Sequence, residues 1–476
     1  MTENRPIRLS LVSHTNVGKT TLARTLLGRD IGEVRDAPHV TEFAEMNLLL
    51  QTPGGDQLQL WDTPGFGDSV RLLRRLRMRP SPLGWFLAEV WDRWRDRPFW
   101  ASQQALRHVQ QDCDVVLYLV NAAESPEAAG YVAPEMELLS WVGRPVLVLL
   151  NQMGAPRAAA QEAAEIERWR RHLAAIAPVH DVLPLDAFAR CWVQEGVLLR
   201  AIARVLGDDA RMQRLHGEWA RQRLARFDAA AAELAGSLGR VAAARAPLET
   251  GRGALERLLP GKRPAVAAAE RSLAEALDAE LRASTARLLA LHGIEGRAAS
   301  VILDRVAAQI KLREAVGDKA AGLIGGALGG ALSGLAADLA AGGLTLGGGM
   351  LAGGLIGALG AYGAARAINI VRGTGAGFAA WDDAAMRPLV EAALLRYLAV
   401  AHFGRGRGQW VEGEAPAHWR VLVDEVLGAH DEALCRLWAG RASTLDNPAE
   451  ADRLGAALHA PMAEIMKTLL QRLYPG

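Results

Sequence analysis

Short apolar runs alternate with helix-like segments along the first part of the chain. Six of these runs predict β-strands: Ile7–Val12, Glu45–Gln51, Gln57–Trp61, Val115–Val120, Val146–Leu150 and Val182–Leu185. Most of them are continuously apolar, which is typical of strands that are covered on both faces. Their alternation with helices predicts an α/β domain with a mostly parallel sheet over residues 1–205.

A different pattern follows from about residue 206. The segments 206–318 and 373–476 are rich in Ala, Leu and Arg and show no strand pattern, so we expect an all-helical region. Within it, residues 264–316 predict one or two long amphipathic helices.

Residues 319–372, between these helical segments, are rich in glycine. Ala320–Ala337 and Leu339–Ala365 carry no charge, and Asp338 separates them. Glycines recur every four residues in both runs, which places them on one helix face and predicts a closely packed helical hairpin. Two interpretations stay open, because this hairpin either enters a bilayer or packs against other helices in water.

The energetics of insertion are nearly balanced. The large aliphatic side chains of the first run favour insertion by only about 1.5–3 kcal/mol, whereas Asp338 at mid-membrane would cost about 2.5–3.5 kcal/mol. A water-soluble core normally uses more Leu and Ile and less Gly, which favours membrane contact through 319–372, with lipid or with a membrane-protein partner.

Overall charge narrows the class of partner. The chain has 54 basic and 53 acidic side chains, so it lacks the basic surplus with which nucleic-acid phosphates are neutralised, and a nucleic-acid partner is disfavoured. Cys113, Cys191 and Cys435 are far apart in sequence, as expected in a reducing compartment. The first residues show no signal-peptide pattern, so we expect a cytoplasmic protein, associated with the inner membrane if the hairpin inserts.

The first strand runs into Ser-His-Thr-Asn-Val-Gly-Lys-Thr and then a helix-like segment. This order resembles a Walker A loop, in which backbone N–H groups and a helix N-terminus surround phosphate oxygens. Lys19 would reach the β- and γ-phosphates of a nucleotide and Thr20 would ligate Mg²⁺. The predicted cradle comprises Ser13, Asn16, Val17, Gly18, Lys19, Thr20 and Thr21. Ser13 replaces the usual first glycine, which is harmless only if its backbone angles suit serine.

A second loop, Trp61-Asp62-Thr63-Pro64-Gly65, follows the third strand. We expect Asp62 to hold Mg²⁺ through water and the Gly65 amide to meet the γ-phosphate. Thr41, in the loop before the second strand, is placed to complete the Mg²⁺ ligands, although surface threonines are common in loops. Lys19, Thr41 and Gly65 are therefore the candidate catalytic residues.

An insertion at about 68–112 separates this loop from the fourth strand. It carries several arginines and tryptophans: Arg71, Arg74, Arg75, Arg77, Arg79, Trp85, Trp91, Trp94 and Trp100. This composition suits an anionic membrane surface, a partner groove or RNA, or else a lid that packs on the domain. Because it follows the γ-phosphate-sensing loop, we expect nucleotide state to move it.

Together these motifs resemble the translation-factor-related bacterial GTPases of the Era and TrmE kind. The resemblance implies GTP or GDP with Mg²⁺, and a K⁺ ion held by Asn16, whose alternative role is to stabilise a turn. Phe66 stands where Ras-type enzymes carry a water-orienting glutamine, and it cannot hydrogen-bond water. We expect slow intrinsic hydrolysis, accelerated by a partner, by K⁺ or by nucleotide-dependent self-association.

The base-reading motif departs from this group. Asn151-Gln152-Met153-Gly154 stands where guanine-specific members carry NKxD. Asn151 matches and Gln152 can stack on the base, but Gly154 replaces the aspartate, a loss of about 1–3 kcal/mol of discrimination. Asp186 and Ala187 take the place of the SAK-type loop, and Asp186 either supplies the missing carboxylate or caps a helix.

Nearly the full chain also resembles a bacterial family in which an Era-like GTPase domain is fused to a C-terminal domain of unknown function. The segments that carry this resemblance are SHTNVGKTTL, GEVRDAP, LLNQMG, LDAFARCW, GGLTLGGG and AHFGRGRGQWVEGEAPAHW. We therefore expect a GTP-hydrolysing switch that acts at or in the inner membrane. Two alternatives stay open: a soluble assembly GTPase for RNA or ribosomes, and a binding-only interaction module.

Overall fold

A computed structural model provides the three-dimensional structure of the chain. It describes residues 5–28, 45–77, 97–153, 159–174, 176, 178–185, 191–207, 209–248, 264–294, 368–371, 377–402, 417–442, 447 and 449–474. The predicted glycine-rich hairpin lies outside the described residues, apart from 368–371. Thr41, Gly154, Asp186, Ala187 and residues 78–96 of the insertion also lie outside them.

A six-stranded sheet organises the first part of the chain. Its strands are β1 (Ile7–Ser13), β2 (Glu45–Gln51), β3 (Gln57–Asp62), β4 (Val115–Asn121), β5 (Val146–Asn151) and β6 (Val179–Pro184). They lie in the order β2-β3-β1-β4-β5-β6, and all neighbours are parallel except the antiparallel pair β2 and β3. The predicted mostly parallel α/β fold is confirmed.

Helices cover both faces of this sheet. They are α1 (Lys19–Leu27), α2 (Ser69–Arg77), α3 (Arg97–Asp112), α4 (Val132–Val142), α5 (Ala159–Leu173) and α6 (Trp192–Val205). Alternate residues of β4 and β5 point into two separate buried clusters, one on each face. Leu22, Leu198 and Met212 belong to one cluster, while Leu72, Phe99 and Trp169 belong to the other. Burial on both faces explains the continuously apolar strands.

The chain divides into two compact units, the first reaching to Arg223 and the second beginning at Leu224. The helix α7 (Ala210–Ala243) contains this boundary. The second unit continues with α8 (Pro264–Leu291), α9 (Asp383–Ala401), α10 (Ala417–Gly428), α11 (Asp431–Ala439) and α12 (Glu450–Leu473). Most of α9 is buried on all sides, so it forms the centre of this unit.

The all-helical prediction for this region is wrong in one respect. Three short strands, β7 (Arg245–Pro247), β8 (Ile368–Val371) and β9 (Phe378–Trp381), form an antiparallel sheet in the order β7-β9-β8. Runs of three or four residues are too short to establish a period of two, and their partners lie far apart in sequence. Residues 368–371, assigned above to the hairpin, therefore belong to a strand.

A close helix crossing joins α7 and α12 within the second unit. A Cβ atom on Gly239 would lie only 2.6 Å from the carbonyl oxygen of Ala451, and one on Gly455 would lie 3.1 Å from Gly236 Cα. Glycine is required here because the two backbones are in contact. Among the described residues, no helix is both long enough and apolar enough to cross a bilayer.

Glu450, at the start of α12, should make the second unit more stable at neutral than at acid pH. Its carboxylate accepts hydrogen bonds from Arg453 and from the Ala442 N–H, which lower its pKa from 4.5 to about 2. A lowered carboxyl pKa stabilises the fold above the unfolded-state pKa, and this contribution disappears as pH falls from about 4.5 towards 2. Glu450→Gln should therefore destabilise the protein at about pH 6 and progressively less towards about pH 3.

Urea unfolding at several pH values measures this difference. Glu432→Gln is the matched control, because Glu432 is largely exposed and its ion pair with Arg436 spans 3.7 Å. The control should change stability little at any pH. If Glu450→Gln lowered the free energy of unfolding by the same amount at both pH values, the lowered pKa of Glu450 would be contradicted.

Candidate nucleotide-binding site

The loop between β1 and α1 lies at the carboxyl edge of the sheet. Asn16 and Gly18 both adopt the left-handed conformation, with φ values of 65° and 97°. Such alternation turns successive backbone N–H groups towards one concave space, which is the geometry that binds anions. A Cβ atom on Gly18 would lie 2.8 Å from Asn151 Nδ2, so a larger residue there would have to displace the Asn151 side chain as well as adopt a positive φ. The loop therefore has the shape that its sequence predicts.

Lys19, the first residue of α1, lies inside this loop. Its side chain is buried, and its Nζ donates a 2.9 Å hydrogen bond to Ser13 Oγ. Burial lowers the pKa of Lys19, while the charges of Asp62 and Glu135 oppose that shift. A buried ammonium group beside a neutral hydroxyl group is poorly solvated, so a polyphosphate would bind it favourably.

Ser13 itself is the last residue of β1 and has no left-handed backbone. Its replacement of the usual glycine therefore brings no backbone strain. Its hydroxyl group also supplies an acceptor for Lys19 that glycine lacks. Thr21 lies in the first turn of α1 and is buried.

Asp62, the last residue of β3, faces Thr20 across the loop. Thr20 Oγ1 donates a 2.6 Å hydrogen bond to Asp62 Oδ2. Asp62 is 3% exposed, and burial raises the pKa of its carboxyl group. Among the described residues, Asp62 Oδ1 has no hydrogen-bond partner. A buried carboxylate oxygen without a donor, next to a hydroxyl group, is the kind of oxygen ligand that Mg²⁺ takes, so these residues fit that cation.

The Gly65–Phe66 segment lies directly against the phosphate loop. Phe66 N donates to the Ser13 carbonyl at 2.9 Å, and Thr15 N donates to the Phe66 carbonyl at 3.2 Å. A Cβ atom on Gly65 would lie 2.9 Å from Lys19 Nζ. The Phe66 side chain is fully buried in the core, so it is not available to position water.

Asn151, the last residue of β5, contacts the phosphate loop in this structure. Its Nδ2 donates a 2.7 Å hydrogen bond to the Val17 carbonyl, and the residue is fully buried. The sequence predicted a role for Asn151 in base recognition and did not predict this contact. Gln152, the next residue, is half-buried and left-handed, with φ of 58°.

Sequence reasoning assigned no role to three further residues, one in the loop and two beside it. His14, Tyr118 and Glu135 form a hydrogen-bonded cluster in which Glu135 is fully buried. One signal was present in the sequence, since Glu135 is an acid inside the mostly apolar helix Val132–Val142. Its partners were not visible, because they lie 17 and 121 positions away along the chain.

The sheet order and the loop between β1 and α1 are those of the P-loop GTPase fold. Residues 8–152 accordingly match the family described as 50S ribosome-binding GTPase. Residues 170–467, more than half of the chain, match the family described as Domain of unknown function (DUF3482). The chain therefore belongs to the DUF3482 family. No curated protein sequence matches it.

Solved structures of GTPases are similar at low identity. Era in complex with MgGDPNP and a segment of 16S ribosomal RNA is 18% identical, with 38% of this chain and 51% of that chain covered and a TM-score of 0.27. A variant of Era from Aquifex aeolicus bound to GDP and AlF4⁻ is 15% identical, with 58% and 89% covered and a TM-score of 0.30. The probable GTP-binding protein engB is 13% identical, with 42% and 99% covered and a TM-score of 0.26. This chain spans about half the length of the Era chain in the RNA complex.

Proposed function

We propose that this protein binds GTP and GDP with Mg²⁺, hydrolyses GTP slowly and acts as a nucleotide-dependent switch. The observation that carries the proposal is the buried Lys19 ammonium group opposite the Thr20–Asp62 pair, in a loop with anion-binding geometry. A buried ammonium group, and a buried carboxylate oxygen without a hydrogen-bond partner, are unfavourable unless ligands of opposite charge bind them. A nucleotide with its metal supplies both charges at once.

The proposal assigns phosphate binding, Mg²⁺ binding and contact with the γ-phosphate to different residues of the site. The N–H groups of residues 16–21 hold the phosphate oxygens, and Lys19 binds the terminal phosphates. Thr20, Asp62 and Thr41 hold Mg²⁺, which when bound neutralises charge on the phosphates. The Gly65 N–H group contacts the γ-phosphate. Because Phe66 is buried, the group that orients water comes from a partner, from K⁺ held by Asn16 or from a second copy of the chain.

The proposed site discriminates only weakly between guanine and adenine. Gly154 removes the carboxylate that reads guanine, and Asn151 is engaged with the Val17 carbonyl. We propose that Gln152 stacks on the base and that Asp186 with Ala187 contributes the remaining contacts. Losing one charge-assisted pair lowers the preference for guanine by roughly 1–3 kcal/mol, so GTP should be favoured over ATP only modestly.

Calorimetric titration tests the binding half of the proposal. Full-length protein with Mg²⁺ should bind GTP and GDP, and should bind ATP more weakly. Phosphate release is then measured in K⁺ and in Na⁺, and a higher rate in K⁺ is expected. Binding without turnover in either salt would favour the binding-only module. Tighter binding of ATP than of GTP, or no binding of either nucleotide, would refute the proposal.

We also propose that the switch acts at the inner membrane through the glycine-rich part of 319–372, supported by its two runs without charged residues, Ala320–Ala337 and Leu339–Ala365. Sedimentation of the full chain with anionic liposomes tests this part separately. Binding should depend on whether a GTP analogue or GDP is present. A chain that stays in the supernatant with either nucleotide, and without nucleotide, would exclude membrane action while leaving the nucleotide site intact.

A further inference from the structure

Glu135 is a buried acid that the proposed chemistry does not use. It lies on α4 with Val132, Met136 and Leu139, all of which are buried, and it is itself fully buried. A carboxyl group in such surroundings is unfavourable unless hydrogen bonds compensate it. The hydrogen-bond partners that compensate the burial of the Glu135 carboxyl group therefore indicate its role.

Both carboxylate oxygens of Glu135 have partners from other elements. His14 Nδ1 lies 2.8 Å from Oε1, and the Tyr118 hydroxyl group donates a 2.6 Å hydrogen bond to Oε2. The His14 ring also stacks on Tyr131, with ring centroids 4.8 Å apart and an interplanar angle of 22°. The imidazole ring is thus held in one orientation by Glu135 of α4, which Tyr118 of β4 holds in turn, and by the ring of Tyr131.

His14 occupies a critical place in the phosphate loop, because it is the first residue after β1. The backbone groups on either side of it, the Ser13 carbonyl and the Thr15 N–H, hold Phe66. His14 and Phe66 are paired as in a parallel sheet. A fixed His14 therefore constrains both the start of the phosphate loop and the Gly65 segment that lies against Lys19.

We propose that Glu135 is a positioning residue of the nucleotide site, which anchors the phosphate loop and the Gly65 segment through its hydrogen bond to His14. This proposal rests on the proposed function of the site and adds a residue from outside the loop motifs. The loop contains a non-glycine residue in the left-handed conformation, Asn16, so its shape in this structure is not the one that an unconstrained chain prefers. Anchoring at His14 lowers the cost of ordering the loop around phosphate.

The experiment compares GDP affinity and thermal unfolding in the full chain and four variants. Glu135→Ala should weaken GDP binding on the order of tenfold to a hundredfold, because the loop is no longer held in place. His14→Phe should weaken it similarly, since phenylalanine keeps the ring stacked on Tyr131 but lacks Nδ1. Glu135→Gln should stay within about threefold of the wild type, because an amide can still hydrogen-bond to both partners.

Glu195→Ala is the matched control within the same unit. Glu195 is also a buried glutamate, and it accepts hydrogen bonds from Trp219 Nε1 at 3.1 Å and from Arg223 at 2.7 Å. Its loss should lower the unfolding temperature and leave GDP affinity within about threefold of the wild type. This control separates a general loss of stability from a loss of positioning.

Three results would overturn the positioning role. They are wild-type affinity in His14→Phe, a loss in Glu135→Gln as large as that in Glu135→Ala, and an equal loss of affinity in Glu195→Ala. Failure of the proposed function itself is recognised separately, because the wild-type chain would then bind no GDP before any variant is compared.

Discussion

Lys19→Ala is expected to remove measurable nucleotide binding while the protein stays folded. The Lys19 ammonium group lies within the phosphate loop, where it donates to Ser13 Oγ and lies close to Gly65. Charge-assisted hydrogen bonds contribute roughly 1.5–3 kcal/mol each, so losing contacts to two phosphates corresponds to about a 10²- to 10⁴-fold loss of affinity. Calorimetric titration with GDP and with a GTP analogue, both with Mg²⁺, measures this loss.

The fold should tolerate this change well. Burial lowers the pKa of Lys19, which means that its charged form is disfavoured in the folded protein without ligand. Removing the charge relieves that cost, so the unfolding temperature of the ligand-free protein should not fall. Lys467→Ala is the control, because Lys467 is an exposed lysine on α12 and should not affect binding. Unchanged affinity in Lys19→Ala would show that the phosphates bind elsewhere.

Asp62→Asn should abolish the dependence of nucleotide affinity on Mg²⁺. The amide keeps the shape of the side chain and can still accept a hydrogen bond from Thr20, but it loses the negative charge that a divalent cation requires. In the wild type, chelating Mg²⁺ should weaken binding of a GTP analogue. In the variant, affinities with Mg²⁺ and with a chelator should agree, and both should resemble the wild-type value without metal.

The same variant should alter the pH dependence of stability. Burial raises the pKa of Asp62, so the folded ligand-free protein binds this proton more tightly than the unfolded chain does. Ionised Asp62 therefore costs stability at pH values above its folded-state pKa, and this cost is relieved as pH falls. Asp62→Asn should be at least as stable as the wild type at neutral pH, as thermal unfolding without nucleotide would measure.

A second carboxylate in the same unit provides the control for this variant. Asp181 lies on β6 and forms ion pairs with Arg170 and Arg204, away from the loop sequence. Asp181→Asn should keep the full Mg²⁺ dependence. If Asp62→Asn also kept it, the metal assignment would be wrong even if Lys19 were confirmed as the phosphate ligand.

All six strands of the large sheet were predicted, and the bounds of β2 were predicted without error, but other strand ends were less accurate. The predictions for β1, β3, β4 and β5 each stopped one residue early, at the last apolar position. The residues that extend three of these strands are Ser13, Asp62 and Asn151, all of which lie at the site. Residues 179–181 of β6 were also missed, because a partly exposed edge strand does not need a continuous apolar run.

The insertion after the second loop shows what composition alone cannot predict. Its composition identified an unusual segment at 68–112, but it did not decide between a membrane surface, a partner groove, an RNA-binding surface and a packed lid. In the structure, its ends form the helices α2 and α3, and Leu72 and Phe99 belong to the core of the domain. Arg71 lies over the Phe99 ring at 4.8 Å. Part of this segment is therefore ordinary packing, which composition cannot distinguish from a binding surface.

The sequence by itself determined the α/β class, the positions of β1–β5 to within one residue and the two loop motifs that contain Lys19, Thr20 and Asp62. These features depend on local periodicity and on residue spacing, so neighbouring residues carry enough information to find them. The tertiary structure alone decided that Asn151 holds the Val17 carbonyl and that Glu135 holds His14, pairs separated by 134 and 121 positions. The reason is physical: those contacts exist only because β4 and β5 line up beside β1, and the order of strands in a sheet is set by packing of the whole domain.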